Sequence, residues 1–280
     1  MNAFVKRSAR DLIPPLIQRH LAYCIHRWRG DATIFTGDFP DWASAAKSVE
    51  GYAENGVLEK TRAAVRTARS NPDVFERDSC LLDKPDYAFP SLAFILWKAL
   101  QAGGRLDVVD FGGSLGSTFF QIRPFLRAIP EVRWAVVEQP HFVECGRRDF
   151  SGDGLSFHNS ISEALTEVRP ELLFVSCVLQ YLPAPHDVVQ EMIGKGFRHI
   201  LLDRTAFVPG HRDRLTVQHN PSSVQSASYP AWFFNEDRLL KHFATDYDMV
   251  ASFDGADKVL LAAGSPYYRG YFLARRPRES

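Results

Sequence analysis

An apolar run that ends in an acid and then breaks into glycines constrains this chain more than any other stretch. Leu106-Asp107-Val108-Val109-Asp110-Phe111 leads into Gly112-Gly113-Ser114-Leu115-Gly116, and an apolar helix begins at Ser117–Phe120. Strand, glycine-rich turn and helix in this order bring a nucleoside-bearing ligand onto bare backbone in doubly wound α/β proteins. Glycine serves there because it tolerates positive φ and has no Cβ to hold the ligand away. The turn alone does not say which ligand.

From residue 106 the chain follows a βα rhythm. Strands are expected near 106–110, 134–138, 155–158, 172–176 and 199–203, with helices near 117–127, 140–149, 160–167 and 185–194. Such alternation implies parallel, right-handed βαβ units. Up to residue 104 the chain reads as helical and irregular, without a convincing strand. Asp41 is a candidate N-cap, residues 57–69 form an amphipathic helix, and Phe89–Leu100 enters through Pro90 and closes at Gly103-Gly104. The expected organisation is therefore a helical N-terminal cap over 1–104 and a ligand-binding α/β domain over 105–280. Residues 206–234 read as a long, ordered functional loop, because Phe207, Tyr229, Trp232, Phe233 and Phe234 give it apolar anchors. A helix near 235–243 and strands at 247–253 and 270–275 follow.

Lys+Arg and Asp+Glu balance at 33 each, so no global field points to nucleic acid. The basic stretch is N-terminal: Lys6, Arg7, Arg10, Arg19, Arg27 and Arg29 against Asp11 alone in residues 1–30. Ile13, Ile17, Leu21, Ile25 and Trp28 recur there at helical spacing, which suits a packing helix with a solvated basic face, the alternative being weak membrane-surface contact. No apolar run reaches the roughly 18 residues of a membrane span, and the N-terminus lacks the pattern of a secretory signal. Cys24, Cys80, Cys145 and Cys177 form no C-x-x-C pair and read as reduced thiols of a cytoplasmic protein. No histidine spacing suggests a metal.

A dinucleotide fingerprint counted from Gly112 would need glycine where Ser114 and Ser117 stand, so it fails. The same segment fits G-x-S-x-G, a hydrolase nucleophile elbow with Ser114 as nucleophile and His211 and His219 downstream. Context opposes it, because an elbow follows several earlier strands and none is expected before residue 104. The second strand supplies a further sign: Glu138 ends it, 28 positions after Asp110, where a carboxylate can accept both ribose hydroxyls. Asn159, after the third strand, reaches an adenine edge. Ser176 and Gln180, at the exit of the fourth, are the polar groups near a cofactor's reactive end.

With these elements in place the chain resembles a class I S-adenosylmethionine-dependent methyltransferase. It is most similar to a bacterial family of predicted methyltransferases, many encoded beside surface-polysaccharide genes. The shared blocks are Gly37-Asp38-Phe39 with Trp42, Asp110–Gly116, Trp134 to Glu138, Ser176–Leu182, Leu202-Asp203-Arg204-Thr205 and Ser228–Phe233. Ser114 departs from the general pattern, where many relatives have glycine. The resemblance implies a seven-stranded, mostly parallel Rossmann-like sheet. It also implies S-adenosylmethionine held by Asp110, Gly112, Gly113, Ser114, Gly116, Glu138, Asn159, Ser176 and Gln180.

A methyl on a sulfonium is already activated, so such a protein mainly aligns donor and acceptor. A base is needed only where the acceptor must lose a proton, and Asp203, His211 and His219 are the candidates. Arg204 suits an anionic acceptor, and Tyr229 with Trp232 suits a stacking platform. The acceptor expected is a small polar molecule such as a sugar or sugar nucleotide. A Ser114 hydrolase and a non-catalytic binding module are the alternatives.

Overall fold

The computed structural model of the protein describes residues 32–49, 54–71, 74–82, 84–220, 228–255, 260–261 and 265–277. The basic segment over 1–30, and Cys24 within it, lie outside the described residues. The chain divides into two compact units. One comprises Ala53–Thr205, Asp237–Ala256 and Tyr268–Ser280; the other comprises Met1–Tyr52, Ala206–Glu236 and Asp257–Tyr267. A boundary after residue 104 does not coincide with this division, because the helices of residues 54–101 pack into the core of the larger unit.

The larger unit is built on seven strands: β1 (Arg105–Phe111), β2 (Glu131–Val137), β3 (Leu155–His158), β4 (Leu172–Ser176), β5 (His199–Phe207), β6 (Tyr247–Asp254) and β7 (Tyr267–Arg275). Their order is β6-β7-β5-β4-β1-β2-β3. Strands β1 to β5 are all parallel, paired in the order β5-β4-β1-β2-β3, with Val108 standing opposite both Trp134 and Leu172. β7 runs antiparallel to β6. It also opposes β5, since the Arg275 amide donates to the Arg198 carbonyl while Gly270 lies against Leu202. The chain reverses about β1, so the carboxyl ends of β1 and β4 flank a topological switch point, where ligands of open α/β sheets bind. This is a doubly wound, Rossmann-like, mostly parallel seven-stranded sheet.

Helices α1 (Glu54–Ser70), α2 (Phe89–Gln101), α3 (Ser117–Leu126), α4 (Pro140–Asp149) and α5 (Pro185–Gly194) accompany the sheet. Val108, Trp134, Val136, Leu172 and Leu201 are fully buried, as strands covered on both faces require. Phe94 of α2 stacks on Phe272 of β7 at 4.4 Å. A short hairpin, Phe75–Arg77 and Cys80–Leu82, joins α1 to α2. The helix expected over 160–167 is confined to Ile161–Ala164, capped by the Ser160 side chain.

The smaller unit overturns two expectations. Ile34–Phe39 is a strand, so the first 104 residues are not strand-free, and the segment 206–234 is not a plain loop. Arg214–His219 pairs antiparallel with both Ile34–Phe39 and Ser228–Phe233. Leu215 and Val217 pack with Ala45 of the helix Trp42–Lys47, alternating along the strand with the polar Thr216 and Gln218.

Candidate functional site

β1 ends at a turn whose glycines answer to particular neighbours. Gly112 has φ +76 and its amide donates to the Val137 carbonyl; a Cβ there would enter the Val178 side chain. A Cβ on Gly113 would sit 2.5 Å from the Asp110 carboxylate. Asp110 is 2% exposed and accepts a 2.9 Å hydrogen bond from Trp134 Nε1. Burial pushes its carboxyl up to about 7, opposed by the Trp134 donor and reinforced by the charge of Glu138. Gly116 has φ +85 because it starts α3 against Leu155, so it serves packing and does not line the cavity at the turn.

That cavity, of about 140 Å³, runs from the turn to the carboxyl end of β4 and the adjoining Asp203–Arg204 step of β5. Asp110, Gly112, Gly113 and Ser114 line one side; Ser176, Cys177, Asp203 and Arg204 line another. Residues of the hairpin, α2 and α3 complete it, among them Arg77, Asp78, Ser91, Thr118 and Gln121. Residues of the hairpin and of α2, before β1 in the chain, thus border the cavity.

Six non-glycine residues with positive φ occur among the described residues, and four of them line this cavity: Asp78 (φ 51), Ser114 (φ 56), Cys177 (φ 55) and Arg204 (φ 50). Such conformations cost about 1 kcal/mol or more each and gather where a ligand is to be received. Buried Gln180 holds two of them, its Nε2 standing 3.2 Å from both the Arg204 carbonyl and Cys177 Sγ. Gln180 therefore positions the wall and does not line it. The Arg204 guanidinium is held by Asp78 at 2.7 and 3.4 Å. Burial opposes ionisation of Asp78, but the charge and hydrogen bonds of Arg204, together with the charge of Arg77, outweigh it and hold that carboxyl below the usual range.

Glu138 lies across the turn from the cavity, half-buried. Gln139 N donates to its Oε2 at 2.8 Å and the Ser114 amide also donates to the carboxylate, while burial pushes its pKa up. Asn159 is exposed, and its backbone and side-chain N–H groups both donate to Glu163 Oε2, at 2.7 and 3.2 Å. That makes it part of a helix cap.

His211, His219, Tyr229 and Trp232 belong to the smaller unit. His219 is tied by both ring nitrogens, to Thr36 Oγ1 at 2.9 Å and Ser228 Oγ at 3.0 Å. Tyr229 pairs with Gln218 and Trp232 with Leu215, on opposite faces of their strands, so the two do not form one stacking platform. No described residue lining the cavity is a histidine, which leaves Asp203 as the proposed base that borders it. Sequence reasoning missed Arg77 and Asp78; the polar Glu76–Ser79 run between two short apolar stretches is the turn signal that could have found them.

The sequence matches no protein-family model, and no curated protein matches it. Solved structures that resemble it include magnesium protoporphyrin IX methyltransferase (ChlM) from Synechocystis PCC 6803 with bound SAH. There the identity is 13% and the TM-score 0.41, over 67% of this chain and 82% of that one. LepI in complex with SAM matches at 12% identity and TM-score 0.42 over 78% of this chain, which spans 64% of LepI. The N-methyltransferase NodS from Bradyrhizobium japonicum WM9, in complex with S-adenosyl-L-homocysteine, matches at 14% and 0.42 over 78% of this chain and 100% of that one. At such identities the site residues of those proteins do not transfer to this chain. Among the described residues no helix is long and apolar enough to cross a membrane.

Proposed function

We propose that this protein binds S-adenosyl-L-methionine at the β1 turn and transfers its methyl group to a small polar acceptor, a sugar or sugar nucleotide. The observation that carries this is a buried acid beneath a glycine turn, facing a cavity that a second acid, Asp203, also borders. The ligand is cationic at its sulfonium and ammonium, so paired carboxylates suit it. Gly113 leaves the Asp110 carboxylate uncovered by any Cβ, and Glu138 stands on the far side of the turn to accept ribose hydroxyls. A cavity of about 140 Å³ is smaller than the roughly 300–1,000 Å³ pockets that enclose whole ligands. It takes the amino-acid end, and the nucleoside lies over the open turn.

When bound, the cofactor supplies a methyl group already activated for transfer. Asp203, on β5 opposite the last residue of β4, then accepts a proton from an acceptor hydroxyl. Arg204 orients an anionic part of the acceptor once it exchanges Asp78 for it. Free thiols at Cys80, Cys145 and Cys177 suit a cytoplasmic setting.

Titration calorimetry with S-adenosylmethionine tests the assignment. Glu138→Ala should weaken binding about ten- to a hundredfold, the loss of one charge-assisted contact of roughly 1.5–3 kcal/mol. Unchanged affinity in that variant removes Glu138 from the site. A hydrolase using Ser114 predicts no binding by the wild-type chain, and a non-catalytic module predicts binding without methyl transfer to any acceptor.

A further inference from the structure

A second cavity, of about 240 Å³, lies at the opposite end of the same strands. Arg105 and Asp107 open β1, Leu172 opens β4 and Arg198 precedes β5, whereas Asp110 and Ser176 stand at the carboxyl ends of β1 and β4, and Asp203 stands opposite Ser176 within β5. At about 3.3 Å of rise per residue the two ends are roughly 10–17 Å apart, and the two cavities share no lining residue.

The charges around this cavity are not balanced. Lys98, Arg105, Arg169 and Arg198 line it against Asp107 and Glu171. Lys98 is 5% exposed, yet its Nζ bonds only the neutral Gln101 Oε1, at 3.1 Å, and it forms no ion pair with a described residue. Arg169 is exposed and likewise forms none with a described residue. Arg198 reaches Glu171 only at 3.9 Å. Arg105 is engaged, with Asp107 Oδ2 at 2.7 Å. Burial lowers the pKa of Lys98, opposed by the charge of Glu171 and reinforced by that of Arg198, and a buried ammonium held in no direct ion pair is costly. The other carboxylate oxygen of Asp107, Oδ1, is buried without a hydrogen-bond partner. An unpaired acceptor of this kind costs about 1–3 kcal/mol. The cavity thus presents loosely held cations on three segments and one acceptor in want of a donor.

We propose that this cavity is a second ligand site, which takes a phosphate monoester of a hydroxylated small molecule. Lys98, Arg169 and Arg198 come from α2, the segment before β4 and the segment before β5, so their donors approach from separate directions. A tetrahedral phosphate offers three oxygens to three such donors, where a planar carboxylate offers two. A hydroxyl of the ester donates to Asp107 Oδ1. Water occupies about 30 Å³ per molecule, so the volume exceeds the needs of a free anion and admits a sugar-sized body. The site does not depend on the methyltransferase assignment.

Calorimetry on the full chain at constant ionic strength, with inorganic phosphate, glucose 6-phosphate and glucose in turn, tests it. Both phosphates should bind and glucose should not, with glucose 6-phosphate about tenfold tighter for its added hydrogen bond. Arg169→Ala, at an exposed position that folding tolerates, should weaken both phosphates about tenfold and leave S-adenosylmethionine affinity unchanged. Lys98→Met should weaken them further. No heat from either phosphate, or equal affinity in wild type and Arg169→Ala, overturns the site. Equal affinity for phosphate and its ester overturns the ester and leaves a free-phosphate site.

Discussion

A methyl group at position 113 would sit 2.5 Å from the carbon of the Asp110 carboxyl group, well inside contact distance. Either the turn or the acid must move, and Trp134 Nε1 pins the acid at 2.9 Å. Gly113→Ala is therefore expected to cost about 1–3 kcal/mol of stability by overpacking and to displace the turn, lowering S-adenosylmethionine affinity. Urea unfolding and calorimetry check the two effects separately. Asp110 itself carries a pH signature. With its pKa raised by burial to about 7, it is largely neutral below that and ionised above. Cofactor affinity should rise as pH passes through 7. Asp110→Asn should be weaker by about ten- to a hundredfold above pH 7 and flat with pH; an unchanged slope in that variant would assign the titration to another group.

At the scale of elements, Gln180 adds a side-chain brace where β4 ends beside β5, bonding the Arg204 carbonyl at 3.2 Å. Gln180→Leu leaves that carbonyl without the bond and should cost about 1–3 kcal/mol, together with slower methyl transfer, while the affinity governed by Glu138 persists. Stopped assays and calorimetry on the same preparation decide this. The strands whose ends form the cavity were legible in the sequence because they are buried on both faces. Runs such as Leu106–Phe111 and Leu172–Ser176 admit no other periodicity. Ile34–Phe39 was not legible, having one buried residue in six. Arg214–His219 does alternate in polarity, but the Pro-, Ser- and His-rich segment 206–234 around it suggested a loop. The glycine turn was placed correctly and Asp203 and Arg204 do border the cavity with it. Gln180 instead bonds the Arg204 carbonyl and Asn159 the Glu163 carboxylate, a distinction that depends on side-chain direction and leaves no trace in spacing. The turn that carries Asp78 had a signal, but its pairing with Arg204 did not, since the two lie 126 positions apart.

For the molecule as a whole, two buried groups pull the pH dependence of stability in opposite directions. Asp110 has a folded pKa raised from 3.8 to about 7, so between those values the folded state holds a proton that the unfolded state has lost, and stability falls as pH rises. His199, 7% exposed and stacked on Phe272 at 5.3 Å, has a pKa pushed down to about 4 by burial and by the Lys98 and Arg198 charges. Between about 4 and 6.5 the unfolded state holds the extra proton, so this contribution is complete above pH 6.5 and is lost as pH falls towards 4. Each slope is at most about 1.4 kcal/mol per pH unit, and over their common window they nearly cancel. Removing either group should expose the other. Relative to wild type, Asp110→Asn should gain stability progressively from pH 4 to 7. His199→Phe, which keeps a ring on Phe272, should gain towards pH 4 and show little pH-dependent difference above 6.5. Urea unfolding at half-unit intervals of pH reads both differences, and parallel curves for the three proteins would show that neither group titrates in the folded state as its burial requires.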